Sequence, residues 1–261
     1  MTVISPVTLT DLTIGYEHKV VQSHLTFTLE QGQLISLLGP NGSGKSTLLR
    51  TIAGLQPSLG GQILVNGIDI SPMSPAERAK KQALVLTDNQ PLEATTIFDI
   101  VALGRYPYTS FLGHLTEEDN FIIQQSLAAV GLPYSSTPLL PYSPTPYSST
   151  PLLPYSSLST GNQARVLIAK ALAQQTPIIL LDEPTAHLDL PGRVQLFELL
   201  QRLAHEQKKL ILISTHELNL ALRCSDHILL MSDTTEYATP AELRTTQALS
   251  NAFHINIDEY C

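Results

Sequence analysis

With 43% hydrophobic and 15% charged residues, a chain of 261 residues has enough apolar content for a sizeable core, which excludes wholesale disorder. Its length suits one large domain carrying an insertion better than two independent domains. Fifteen Lys and Arg against 23 Asp and Glu give a formal net charge of −8; that excludes a broad electrostatic grip on nucleic acid but allows a nucleotide at one local site. Cys224 and Cys261 form neither a disulfide framework nor a metal pair, so a reducing cytoplasm is expected. No apolar run approaches the roughly 18 residues of a membrane span, and the opening residues lack the charged and apolar regions of a secretion signal. If the protein works at a membrane, another chain supplies the span.

Taken in chain order, residues 7–14 and 24–29 alternate as strands, and the apolar run 34–38 suits a buried parallel strand. A glycine-containing loop follows, then a helical stretch that stops at Gly54. GGQILVNGIDI reads as a hairpin or edge strand, SPMSPAERAKKQ as a short capped helix leading into strand ALVL, and 96–103 and 117–130 as helices. Between 132 and 158 the composition turns to Pro, Ser, Tyr, Thr and Leu, and PYSSTPLLPYS at 133–143 recurs at 146–156. Repeated prolines oppose helix and interior strand, so 133–157 is expected to be a low-complexity loop. Beyond it, helices at 161–174, 191–207 and 218–222 alternate with apolar strands at 177–182, 209–214 and 227–231. That alternation predicts an α/β fold with a mostly parallel sheet covered on both faces.

Gly39-Pro40-Asn41-Gly42-Ser43-Gly44-Lys45-Ser46 matches the phosphate-loop pattern between a buried strand and a helix, the context its mechanism requires. Glycines let the loop close round phosphate and aim backbone N–H groups and the helix end at the anion. Lys45 is expected to reach the β- and γ-phosphates of a nucleotide and Ser46 to ligate Mg²⁺. The strand that ends in Asp182-Glu183 supplies an acid for the Mg²⁺ shell, Asp182, and one to polarise the attacking water, Glu183. His216, after another apolar strand, is placed to join the same edge.

With these motifs, the chain resembles the ATP-binding subunits of ABC transporters over nearly its whole length. GPNGSGKST at 39–47, ending in Thr47, resembles the family's phosphate loop; LLDEPTAHLD at 180–189 its catalytic-acid strand; and STHEL at 214–218 its switch histidine. LSTGN at 158–162 resembles the LSGGQ signature, with Thr160 at the first glycine and Asn162 at the glutamine, while Ser159 and Gly161 are retained. Tyr16 matches the aromatic that stacks on adenine. The resemblance implies a P-loop NTPase with a RecA-like core, an antiparallel β edge and an inserted helical subdomain. The organisation expected is one ABC ATPase domain over 1–261, with the signature subdomain at 95–165 and a tail at 232–261.

The resemblance further implies catalysis by Glu183, His216 and Lys45, with ATP bound by Tyr16, 39–47, Ser159 and Gly161. Mg²⁺ would be held by Ser46, Asp182 and Asp88. Direct register puts Asp88 at the position of the family's glutamine after strand ALVL, and a two-residue slip puts Gln90 there; Asp88 is preferred, since a carboxylate also meets a metal shell. One set of motifs needs a second copy or a related ATPase subunit to close two ATP molecules in a head-to-tail dimer. Permease subunits, and through them a substrate-binding protein, are the other partners implied, at the cytoplasmic face of the inner membrane. ALGRYPYTSFLGHLTEED at 102–119 is similar to a stretch of ATPases that power uptake of iron-siderophores, haem or cobalamin. The rivals are a soluble ABC ATPase of an iron–sulfur assembly and an ATP binder with impaired turnover. The repeat, read as a duplication of 133–145, is expected to weaken ATP-driven closure, and the glycine-free stretch after Ser232 is expected to be irregular.

Overall fold

The computed structural model describes residues 7–17, 19–86, 95–110, 113–132 and 153–253. Asp88, Gln90 and the duplicated stretch 133–145 lie outside them. The chain divides into two compact units, one of 1–86 with 177–261 and one of 87–176.

In the first unit, alternating apolar residues build Val7–Tyr16 (β1) and Lys19–Leu29 (β2), which pair antiparallel and are broken by register shifts in β1. Asp11 and His24 take left-handed φ of 48° and 59°, the conformation an extra residue in a ladder adopts. Gly60–Val65 (β4) and Ile68–Asp69 (β5) complete a four-stranded sheet in the order β2-β1-β4-β5. The second sheet combines Leu34–Leu38 (β3), Gln82–Leu86 (β6), Ile178–Asp182 (β7), Leu210–Ser214 (β8), His227–Met231 (β9) and Thr235–Ala238 (β10) in the order β10-β9-β3-β8-β7-β6. Its four pairings from β9 to β6 are parallel, and the edge strand β10 is antiparallel to β9. The fold is thus α/β, with a mostly parallel sheet and an antiparallel β sheet beside it.

Period-two alternation sends Ile35, Leu37, Leu180, Leu212, Leu229 and Met231 to one face, where they bury against Lys45–Ile52 (α1) and the antiparallel sheet. Leu38, Ile228 and Leu230 go to the other, against Leu218–Cys224 (α7), Pro240–Thr245 (α8) and Ala248–Phe253 (α9). Each such fully buried side chain is worth roughly 1.5–3 kcal/mol. Pro75–Ala79 (α2) opens on a Ser74–Glu77 capping box, and Leu190–Gln207 (α6) starts at Asp189, whose carboxylate accepts from Gly192 N.

The expected irregular tail is corrected: 235–253 folds into β10, α8 and α9. Ser232 closes the glycine-free turn through its own backbone and hydroxyl, both donating to Thr234 O at 3.3 and 2.9 Å. Thr239 and Glu242 form a reciprocal capping box with Pro240 in the first turn of α8.

The second unit is helical: Ile97–Ala102 (α3), a 3₁₀ turn over Leu103–Tyr108, Glu117–Ala129 (α4) and Thr160–Ala173 (α5). Its centre holds a buried ion pair, Arg105 Nε to Asp119 Oδ1 at 2.7 Å. The guanidinium also donates to Ala173 O and Gln175 Oε1 and sits 4.3 Å over the Tyr108 ring. Burial pushes the Asp119 carboxyl up, but the Thr116 and Arg105 hydrogen bonds and the Arg105 charge outweigh it and hold it below the ordinary value. Residues 153–155 pair with 95–97: Ile97 N donates to Leu153 O at 3.1 Å and Tyr155 N to Thr95 O at 2.9 Å. Pro154, which has no N–H, falls opposite Thr96, between those two bonds.

Candidate active site

The phosphate loop leaves β3 and enters α1 through glycines the geometry demands. Gly39 has φ +148°, and a Cβ there would lie 1.9 Å from Met231 O; at Gly44, φ +103°, it would lie 2.7 Å from Val21 Cγ1. Gly39→Ala is therefore expected to cost about 3 kcal/mol or more, from strain and a backbone clash that no side-chain rotation relieves. A thermal midpoint unchanged in that variant would contradict this reading of the loop.

Lys45 is buried and donates from Nζ to Gly39 O at 2.8 Å and Pro40 O at 3.0 Å. Burial lowers its ammonium below the ordinary lysine value, against the opposing fields of Glu183 and Asp182. Ser46 Oγ donates to Asp182 Oδ1 at 2.8 Å, so the loop hydroxyl and the strand-end carboxylate meet. Glu183, one residue on, adopts a left-handed φ of 49°, and its Oε1 lies 3.0 Å from His216 Nε2. Tyr16 ends β1 with its ring half exposed and its hydroxyl 3.2 Å from Thr47 Oγ1. Tyr16, the loop, Asp182, Glu183 and His216 all belong to the first unit.

Ser159 and Gly161 belong to the second unit. Ser159 is the N-cap of α5, accepting from Asn162 N at 3.4 Å, and Gly161 lies in the first turn. Gln163 Nε2 reaches back to Tyr155 O and Leu158 O, both at 3.3 Å, tying the stretch before the signature to its helix. Asp88 falls outside the described residues.

Two groups escaped the sequence reading. Gln22 on β2 donates from Nε2 to Ser43 O at 3.2 Å and Ser232 O at 2.7 Å, linking the phosphate loop to the β9–β10 turn. Ser214 ends β8, and its hydroxyl joins Asp182 to the Glu183 backbone. Gln22 carries no motif, and Ser214 opens the STHEL stretch with no role assigned to it there; strand register reveals the partner of Ser214, and the packing of β2 against the loop and turn reveals those of Gln22. A cleft of about 800 Å³ borders the loop along 40–43, but Lys45, Ser46, Asp182 and Glu183 are not among its lining residues.

Chemically, the left-handed glycines and the helix start suit an anion, and the hydroxyl–carboxylate pair offers hard oxygen donors. A carboxylate fixed beside a histidine is equipped to orient a nucleophile.

The chain has relatives among known proteins. The family model described as "ABC transporter" matches residues 22–186. An achromobactin transport ATP-binding protein of Dickeya dadantii is 34% identical over 255 residues, 97% of this chain and 89% of its own. An iron(3+)-hydroxamate import ATP-binding protein of Bacillus subtilis is 34% identical over 250 residues, 95% of this chain and 87% of its own. Among solved structures, the dimeric bacterial ABC transporter cassette MJ0796 superposes with a TM-score of 0.69 at 25% identity, covering 88% of this chain and 97% of that one. The same cassette is also known in a post-hydrolysis state bound to ADP and Pi.

Proposed function

The chain belongs to the ABC transporter family as one of its ATPases, and from that premise we propose that it powers an importer of iron-siderophore, haem or cobalamin-type metal complexes. The observation that carries the ATPase chemistry is the convergence of Ser46 on Asp182, with Glu183 beside His216. The cargo class rests on the names of the relatives, an achromobactin transport protein and an iron(3+)-hydroxamate import protein.

In this reading the backbone of 39–47 cradles the phosphates, Lys45 neutralises charge on the β- and γ-groups, and Tyr16 stacks on adenine. Ser46 and Asp182 fit Mg²⁺, two oxygen donors already 2.8 Å apart; bound there, the ion would neutralise phosphate charge. Glu183 orients the attacking water and His216 holds Glu183 in place. Ser159 and the Gly161 amide of a second copy complete the site across a head-to-tail dimer, so that binding closes the dimer and phosphate release opens it. No helix among the described residues is long and apolar enough to cross a membrane. Permease subunits would supply the span, with this chain docked at their cytoplasmic face and a substrate-binding protein reached only through them.

The test is uptake. Cells lacking the chain should lose energy-dependent accumulation of a radiolabelled iron chelate or cobalamin, and the wild-type chain, but not Lys45→Ala, should restore it. Normal uptake of every such complex, with the chain recovered on a soluble iron–sulfur assembly, would replace the importer reading.

A further inference from the structure

We propose that Ser214 is a positioning residue for ATP hydrolysis, holding the Asp182 carboxylate and the Glu183 backbone in one fixed arrangement through a single hydroxyl. The inference rests on the assignment of Asp182 and Glu183 given above.

It begins with register. Strand β8 lies between β3, which feeds the phosphate loop, and β7, which ends in the two acids. Its last residue, Ser214, pairs with Leu37 on one side and with Asp182 on the other. This is the point in the sheet at which one side chain reaches both acids' supports. Ser214 is fully buried.

A hydroxyl has one proton to give and lone pairs to accept with, and both capacities are used here. Ser214 Oγ donates to Asp182 Oδ1 at 2.7 Å and accepts from Glu183 N at 2.9 Å. The same Asp182 oxygen accepts from Ser46 Oγ at 2.8 Å. Two serines from opposite sides therefore fix one carboxylate oxygen, and Ser214 carries that constraint onward to the next peptide.

The second contact matters because of where Glu183 sits. Its φ of 49° is a conformation a non-glycine residue holds only when its surroundings enforce it. The chain must turn sharply between Asp182, the last residue of β7, and Glu183, whose side chain meets His216 at 3.0 Å. A hydrogen bond to Glu183 N at that corner sets the direction in which its carboxylate leaves the strand. Ser214 touches neither nucleotide nor water in this scheme; it acts through the two acids. A small displacement of a group that must orient a nucleophile costs rate far more than it costs affinity.

The experiment compares Ser214→Ala, Ser214→Thr and Glu183→Gln in the full chain, measuring steady-state kcat and KM for Mg-ATP, the Kd of a fluorescent ATP analogue and the thermal midpoint. Ser214→Ala should lower kcat by about tenfold to a hundredfold, the scale of a lost support to a catalytic group, and leave KM and Kd within about twofold. Ser214→Thr, which keeps the hydroxyl, should restore most of kcat. A wild-type kcat in Ser214→Ala overturns the proposal. So does a Thr variant as slow as the Ala variant with its thermal midpoint intact, because the hydroxyl would then be irrelevant. If Ser214→Ala fails to fold, a Thr variant that folds, binds and turns over like wild type keeps the proposal, and one that folds but has lost kcat overturns it. Near-normal hydrolysis by Glu183→Gln would instead remove the premise, an outcome separate from any result at Ser214.

Discussion

Glu183→Gln is expected to lower ATP turnover by on the order of 10²–10⁴, the contribution of a positioned general base, and to double the solution mass of the protein when Mg-ATP is added. The two effects have one origin. The amide keeps the shape of the side chain 3.0 Å from His216 but cannot accept the proton of an attacking water, so ATP that closes a dimer stays uncleaved and holds it shut. Light scattering with and without Mg-ATP, beside a steady-state assay, reads both. A doubled mass would mean that Thr160 and Asn162, which depart from the family signature, still allow Ser159 and Gly161 to engage a neighbouring chain's nucleotide. A protein that binds ATP and stays monomeric would overturn closure by this chain alone, and assigning it to the assembly with a permease would be the consequence.

The second large effect belongs to stability. Arg105→Ala removes one partner of a buried ion pair and leaves the buried Asp119 carboxylate without its counter-charge, a change expected to cost about 3–5 kcal/mol. The sign with pH follows from Asp119. Its folded-state pKa is held down, so its contribution is complete above the ordinary carboxylate value and is lost as pH falls through the lowered folded value. Without Arg105, burial gains weight against the remaining Thr116 hydrogen bonds, the folded pKa rises, and acid unfolding should begin at higher pH. Hydrogen exchange across α3, α4 and α5 as pH is lowered, in wild type and variant, checks both parts. An acid transition at the same pH in the two proteins would show that Arg105 does not set the state of Asp119.

What the sequence disclosed and what it withheld divide along a physical line. The apolar runs at 34–38, 178–182 and 210–214 announce buried parallel strands because both faces of each are covered, and the phosphate loop is legible because its glycines are forced by backbone geometry. Asp182 and Glu183 are legible as a strand end. The role of Ser214 is not, since its partners lie 32 and 31 residues away and are set by register between strands whose order the sequence leaves open. Gln22 is hidden because its contact to Ser232 spans 210 residues and joins a strand of one sheet to a turn of the other. The tail differs in the other direction: the absence of glycine after Met231 points to irregularity, yet a serine turn closes the hairpin and Thr239-Pro240-Ala241-Glu242 forms a capping box.

The pairing of 153–155 with 95–97 has a consequence for how this chain changes over generations. The bonds that form it join main-chain atoms, so they select no particular side chain, and Gln163 fastens the next few residues to the signature helix. Ser159 is thus located by chain downstream of Leu153. One residue added between Tyr155 and Ser159 would set those two fastenings against each other, so selection holds the length of this short stretch more strictly than the identity of its side chains.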